Sequence, residues 1–108
     1  MPRLAKKVQD ESTARIFAAL KKAFPELPDE REKVVYRYNP VAIRVRVITP
    51  QFRGKSSAER EEIINEAFQA LPEEITGDIT MLFMLTPQEA KKPPLVAREF
   101  DDPTGEYL

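Results

Sequence analysis

The chain has 108 residues, 17 Lys and Arg against 18 Asp and Glu, and no cysteine or histidine, a length that suits one domain burying roughly two thirds of its unfolded surface. Lacking cysteine, it has no disulfides, thiolate-held metal centres or cysteine nucleophiles, and lacking histidine it is without the usual base near neutral pH and the commonest metal ligand. The small net charge hides a dipole: residues 1–54 hold 12 basic and 6 acidic side chains and residues 55–108 hold 5 and 12, so the halves carry +6 and −7.

Along residues 3–24, Leu4, Val8, Ile16, Phe17, Leu20 and Phe24 recur at spacings near three and four, the stripe of an amphipathic helix. Pro25 stops it, and Ser12 is placed to cap a shorter version by accepting a bond from a free N–H two or three residues on. The stretch PELPDERE follows as a polar connection, its prolines fixing φ and removing donors.

Residues 33–39 and 41–49 are rich in β-branched and aromatic side chains. The second run alternates Val41, Ile43, Val45 and Val47 against Ala42, Arg44 and Arg46, so one face meets a core and the other carries arginines. Asn39-Pro40 between the runs marks a tight turn and an antiparallel hairpin. Ser56 and Glu59 have the S-x-x-E spacing of a reciprocal helix cap, which starts a helix buried through Ile63, Ile64, Ala67, Phe68 and Leu71 and ended by Pro72.

Residues 78–86, DITMLFMLT, are apolar on both alternating faces and read as a strand covered on most of both sides. A strand reached through a helix usually runs parallel to the one before it, so this strand belongs beside residues 41–49. The expectation is an α+β fold, a small three-stranded mixed sheet packed by helices in α-β-β-α-β order. Residues 1–96 form one domain and residues 97–108 an acidic C-terminal tail, with a helical turn in QEAKKPP. The apolar runs fall far short of the roughly 20 residues that span a bilayer, and the N-terminus lacks an apolar signal core, so a cytoplasmic protein is expected.

From Phe52 to Glu89 the chain resembles the BolA family. Phe52, Gly54, Lys55, Ser56 and Arg60 match its F-x-G-K-S-x-x-x-R-H motif, while Leu82, Thr86, Pro87 and Glu89 match the end of its second motif. The resemblance covers about 40 residues and implies a BolA-like, KH-type-II-like fold. It also implies a non-enzymatic binding or regulatory module, with nucleic-acid binding as one inherited possibility. Family members carry two characteristic histidines, one of which can ligate a [2Fe–2S] cluster shared with a monothiol glutaredoxin. Here those positions hold Glu61 and Asp78, hard oxygen donors ill suited to that cluster, so no iron–sulfur cluster and no metal or other cofactor is expected.

Catalysis is not indicated: Ser56 and Ser57 have no histidine to activate them, and the adjacent pairs Glu61/Glu62 and Glu73/Glu74 point about 100° apart on a helix. The candidate nucleic-acid surface is the outward hairpin face, with Arg44 and Arg46, Arg37 beside them if Val35, Arg37 and Asn39 point outward, Tyr36 and Tyr38 to stack a base, and Lys55 nearby. The alternative is that acids of the tail or second helix cover those arginines. A second functional reading is a protein-interaction module, which as a homodimer or with another partner uses the sheet edge or tail anchors Phe100, Tyr107 and Leu108.

Overall fold

A computed structural model of the chain describes residues 9–28 and 32–91. The first helix, α1, runs Glu11–Ala23, one residue short of Phe24 and two short of Pro25. Its cap is Asp10 rather than Ser12: the Asp10 carboxylate accepts from the Thr13 N–H at 2.9 Å, and the Asp10 N–H donates to the Thr13 hydroxyl at 2.8 Å. A charged acceptor suits the positive end of a helix, which explains why Asp10 displaces the hydroxyl two residues on. Ile16, Leu20 and Phe24 form the fully buried stripe, and Leu4 and Val8 lie outside the described residues.

Strands β1 (Lys33–Asn39) and β2 (Ala42–Ile48) pair antiparallel, and β3 (Ile79–Leu85) pairs parallel with β2, giving the sheet order β1-β2-β3. The hairpin turn is held locally, the Val41 N–H donating to the Asn39 side-chain oxygen at 2.9 Å. Val41, expected in the core stripe, instead sits in this turn and is 59 % exposed. Ile43, Val45 and Val47 do face the core, where Val35 joins Ile16 and Leu20 of α1.

After β2 a short 3-10 turn, Pro50–Phe52, leads to Gly54 at φ +75°, the one left-handed residue among those described. Helix α2 (Ser57–Ala67) then begins with the expected reciprocal cap: Ser56 accepts from the Glu59 N–H and the Ser56 N–H donates to the Glu59 carboxylate. It ends before Phe68, five residues earlier than Pro72, and a single-turn helix α3 (Glu73–Thr76) not foreseen in the sequence intervenes before β3. Ile64 and Phe68 bury against the helix side of the sheet. The expected helical turn after β3 is α4 (Pro87–Ala90), capped by Thr86 and Glu89.

β3 departs from expectation in one respect. It lies beside β2 as expected, at the edge of the sheet, but its residues are only partly buried, with Thr80 exposed, rather than covered on most of both sides. Its apolar sequence is therefore not matched by full cover.

Candidate interaction site

The residues that carried the family resemblance assemble into one fastening between α2 and β3. Arg60 forks onto Glu89 at 2.7 and 3.2 Å, donates to the Met84 carbonyl at 2.9 Å and to the Lys55 carbonyl at 3.0 Å. The guanidinium lies 5.7 Å from the ring centre of Phe52, which is fully buried. The Arg60 fork, with help from the Thr86 N–H, holds the Glu89 carboxyl at about 2 against an ordinary 4.5. These contacts account for Phe52, Arg60, Thr86 and Glu89 as structural residues, as the α2 cap does for Ser56 and the left-handed turn for Gly54.

The predicted arginine face is only partly assembled. Val34 lies opposite Arg46 and Tyr36 opposite Arg44, so these four share the outer face of the sheet, and Tyr38 joins them across an irregular step in the pairing. Arg37 does not. It lies opposite Ile43, on the helix side, where its guanidinium binds Asp10 at 2.8 Å and Asp78 at 2.9 Å. The strand KVVYRY is apolar or aromatic at both parities, and Val35, not Val34, took the core position, which turned Arg37 inward.

Burial pushes the Asp10 carboxyl up, but the Thr13 N–H and the Arg37 guanidinium outweigh it and hold Asp10 below its ordinary 3.8. The ion cluster thus ties the start of α1 to the ends of two strands. Tyr36 is 1 % exposed and Arg46 1 %, so neither is presented to a base or a phosphate, as the nucleic-acid reading required. Arg44 stacks on the Tyr38 ring at 3.5 Å from its centre, a cation–π contact that already occupies that aromatic face. Lys55 sits on the turn before α2, off the strands that bear Arg44 and Arg46, and is exposed. The 96/97 boundary and the anchors Phe100, Tyr107 and Leu108 lie outside the described residues.

A cleft that the sequence did not point to runs between α2 and β3. It has a volume of about 410 Å³, with Glu61, Asn65 and Phe68 from α2 on one wall, Thr80 and Leu82 from β3 on the other, and Thr76 closing one end. Its floor is a strand edge. The Thr49 N–H donates to the Leu85 carbonyl, so by the alternation of a parallel ladder Leu85 and Phe83 turn their peptide groups toward β2, and Leu82 and Met84 turn theirs outward. Arg60 takes the Met84 carbonyl, and no described strand pairs with the Leu82 edge. At the opposite edge of the sheet the Val35 carbonyl accepts from the Gln9 side chain at 2.8 Å. A larger hollow of about 810 Å³ between α1 and α2 is walled half by alanines and offers no strand edge.

Glu61, at the first family histidine position, stands on the cleft wall, and Asp78, at the second, is engaged by Arg37. The donor set does not fit a [2Fe–2S] cluster, since both groups are carboxylates, one of them is already ion-paired, and the chain contains no thiol or imidazole. Among the described residues no three acidic side chains gather in a way that would hold a metal ion. No helix among them is long and apolar enough to cross a membrane.

A helix, an antiparallel hairpin, a second helix and a third strand laid parallel to the hairpin form the α+β architecture of BolA-like proteins. Among solved structures the chain is similar to BolA1 of Mus musculus, at 23 % identity and a TM-score of 0.50 over 85 % of this chain and 79 % of that one. BolA1 from Arabidopsis thaliana is also similar, at 18 % identity and a TM-score of 0.48 over 80 % of this chain and 100 % of that one. The fold is BolA-like. No family model matches the sequence, and no curated protein does.

Proposed function

We propose that this protein is a non-enzymatic interaction module that takes up an extended, basic segment of a partner protein in the cleft between α2 and β3. The observation that carries the reading is the apolar β3 at the edge of the sheet, partly exposed along its length, with the Leu82 peptide groups turned into the cleft beside α2. An added strand gains main-chain hydrogen bonds from such an edge and specificity from the side chains around it. The cleft wall supplies the sign of the partner. Glu61 lines it, Glu62 and Glu66 lie on the same exposed side of α2, and none of the three forms an ion pair among the described residues that would divert it from an incoming lysine or arginine.

The nucleic-acid reading is the weaker one because it needs Arg37, Arg46 and Tyr36 at the surface together. The test is a titration of labelled protein with a seven-residue peptide alternating Val and Lys, followed by NMR. Shifts confined to Glu61, Asn65 and Thr80 to Leu82, lost in Glu61→Lys/Glu62→Lys and absent with a Val/Glu peptide, support the proposal. Shifts elsewhere, or equal binding of both peptides, remove it.

A further inference from the structure

The hollow between α1 and α2 shares no lining residue with the β3 cleft. Its floor is apolar: Ala18, Ala19 and Ala23 come from α1, and Ala67, Ala70 and Leu71 from the end of α2 and the turn after it. Ala18, Ala23 and Ala70 are exposed and the other three half-buried, so this apolar floor is left in water. The rims are charged and of opposite sign. Arg15 and Lys22 stand on α1, seven residues and therefore about 10.5 Å apart along its axis, two turns, which puts them on one side of the helix. Glu66 and Gln69 stand on the α2 rim. The Arg15, Lys22 and Glu66 side chains form no hydrogen bond or ion pair among the described residues, so the fold commits none of the three.

From this apolar floor between uncommitted charges we infer that the hollow receives one amphipathic helix of a partner protein, with two acidic side chains a pair of turns apart set against Arg15 and Lys22 and a basic one toward Glu66. Backbone chemistry selects a helix. The walls are helical and offer no strand edge, so an extended guest would lay its own unpaired peptide groups over an apolar floor, whereas a helix satisfies its own. Alanines on the floor let two helix axes approach to the short end of the usual range of about 8–10 Å. The sign of the α1 rim selects acids on the guest and steers their approach. A second copy of this chain does not meet these terms. Its α1 would set Arg15 and Lys22 against the same pair, and the exposed side of its α2 carries Glu61, Glu62, Asn65 and Glu66 with no exposed apolar side chain larger than alanine to fill the floor.

The test titrates the full-length protein into two labelled helical peptides of about four turns. Both carry the same Leu and Ala stripe; one has Glu residues two turns apart on its flank and the other has Lys at those positions. The expected result by fluorescence anisotropy is binding of the Glu peptide about ten-fold or more tighter than the Lys peptide, an advantage that shrinks with added salt and reverses in Arg15→Glu/Lys22→Glu. Methyl signals of Ala18, Ala19, Ala67 and Ala70 shift as the Glu peptide binds. The substituted residues are exposed, and an unchanged melting point verifies that the variant is folded. Ala70→Trp, which fills the hollow from an exposed position, should abolish binding of the Glu peptide. Equal binding of the two peptides, binding of neither, or shifts outside the hollow overturn the inference. So do shifts of the same methyls that grow with protein concentration alone, which would make the occupant a second copy, or that laurate produces where the Glu peptide does not, which would make it a small anionic amphiphile.

Discussion

The fastening centred on Arg60 allows a quantitative forecast. Glu89→Gln keeps the size of the side chain and removes its charge. The shift of its carboxyl from 4.5 to about 2 would correspond to about 3.4 kcal/mol if taken at face value, since each pH unit is worth about 1.36 kcal/mol. The Glu89 side chain is 46 % exposed, however, and solvent screening of such pairs reduces the effect to about 1 kcal/mol. Arg60→Ala loses the fork and also two charge-assisted bonds to the Met84 and Lys55 carbonyls; with about 1.5 kcal/mol for each of these bonds, the low end for hydrogen bonds to charged groups, the total is about 4 kcal/mol.

Urea unfolding at pH 7 measures both variants. The pH dependence follows from the sign of the shift. A carboxyl whose folded value lies below its unfolded one adds stability above the unfolded value, near 4.5, and loses it as pH falls through the folded value near 2. The gap between wild type and Glu89→Gln is therefore full at pH 7 and closes between those limits. A variant as stable as wild type at pH 7, or a gap that stays open at pH 2, refutes the reasoning.

Arg37→Met should destabilise by about 1 to 2 kcal/mol through loss of two part-buried ion pairs, and amide exchange at Thr13 and Ala14 should quicken because the α1 cap loses its anchor to the sheet. In the wild type the Asp10 part of that stability is present above about pH 4 and fades as pH falls through the lowered folded value, which an acid titration followed by amide exchange reads directly. Gly54→Ala meets no neighbour within 4 Å at its new methyl group, so the whole cost is backbone strain at φ +75°, about 1 to 2 kcal/mol, seen as a melting point lower by about 4–8 °C per kcal/mol. Ile64→Ala, which empties space between α2 and the sheet, should cost about 2–5 kcal/mol in urea unfolding.

The order of elements, the hairpin, the Ser56 cap and the core side of β2 were legible because each rests on a local pattern with one solution. Ile43, Val45 and Val47 alternate with two arginines, and only one register buries them. β1 offered no such contrast. Val34, Val35, Tyr36 and Tyr38 are acceptable on either face, so the side occupied by Arg37 depended on long-range packing against α1 and on the irregular step near Tyr38. Asp10 outcompeted Ser12 as a cap because it serves Arg37 at the same time, a contact 27 residues away in sequence.

The candidate cleft was hidden for a related reason. DITMLFMLT reads by composition as a strand covered on most of both faces, and only the packing of α2 along it leaves its outer edge open to a cleft. Arg60 and Glu89 were visible as motif residues, but the purpose of their spacing became apparent only when β3 brought them together.

The Met84 carbonyl, taken by Arg60, also sets a limit on what the exposed edge can do. An apolar edge strand left open along its full length would let sheets add to one another without end. With one acceptor occupied by a side chain from α2 that the Glu89 fork also holds, a strand added at this edge would find a short berth around Leu82 and then an obstruction. The same arginine that joins helix to strand would therefore act as a terminator, limiting any added strand to a short stretch and opposing the indefinite stacking that ends in fibres.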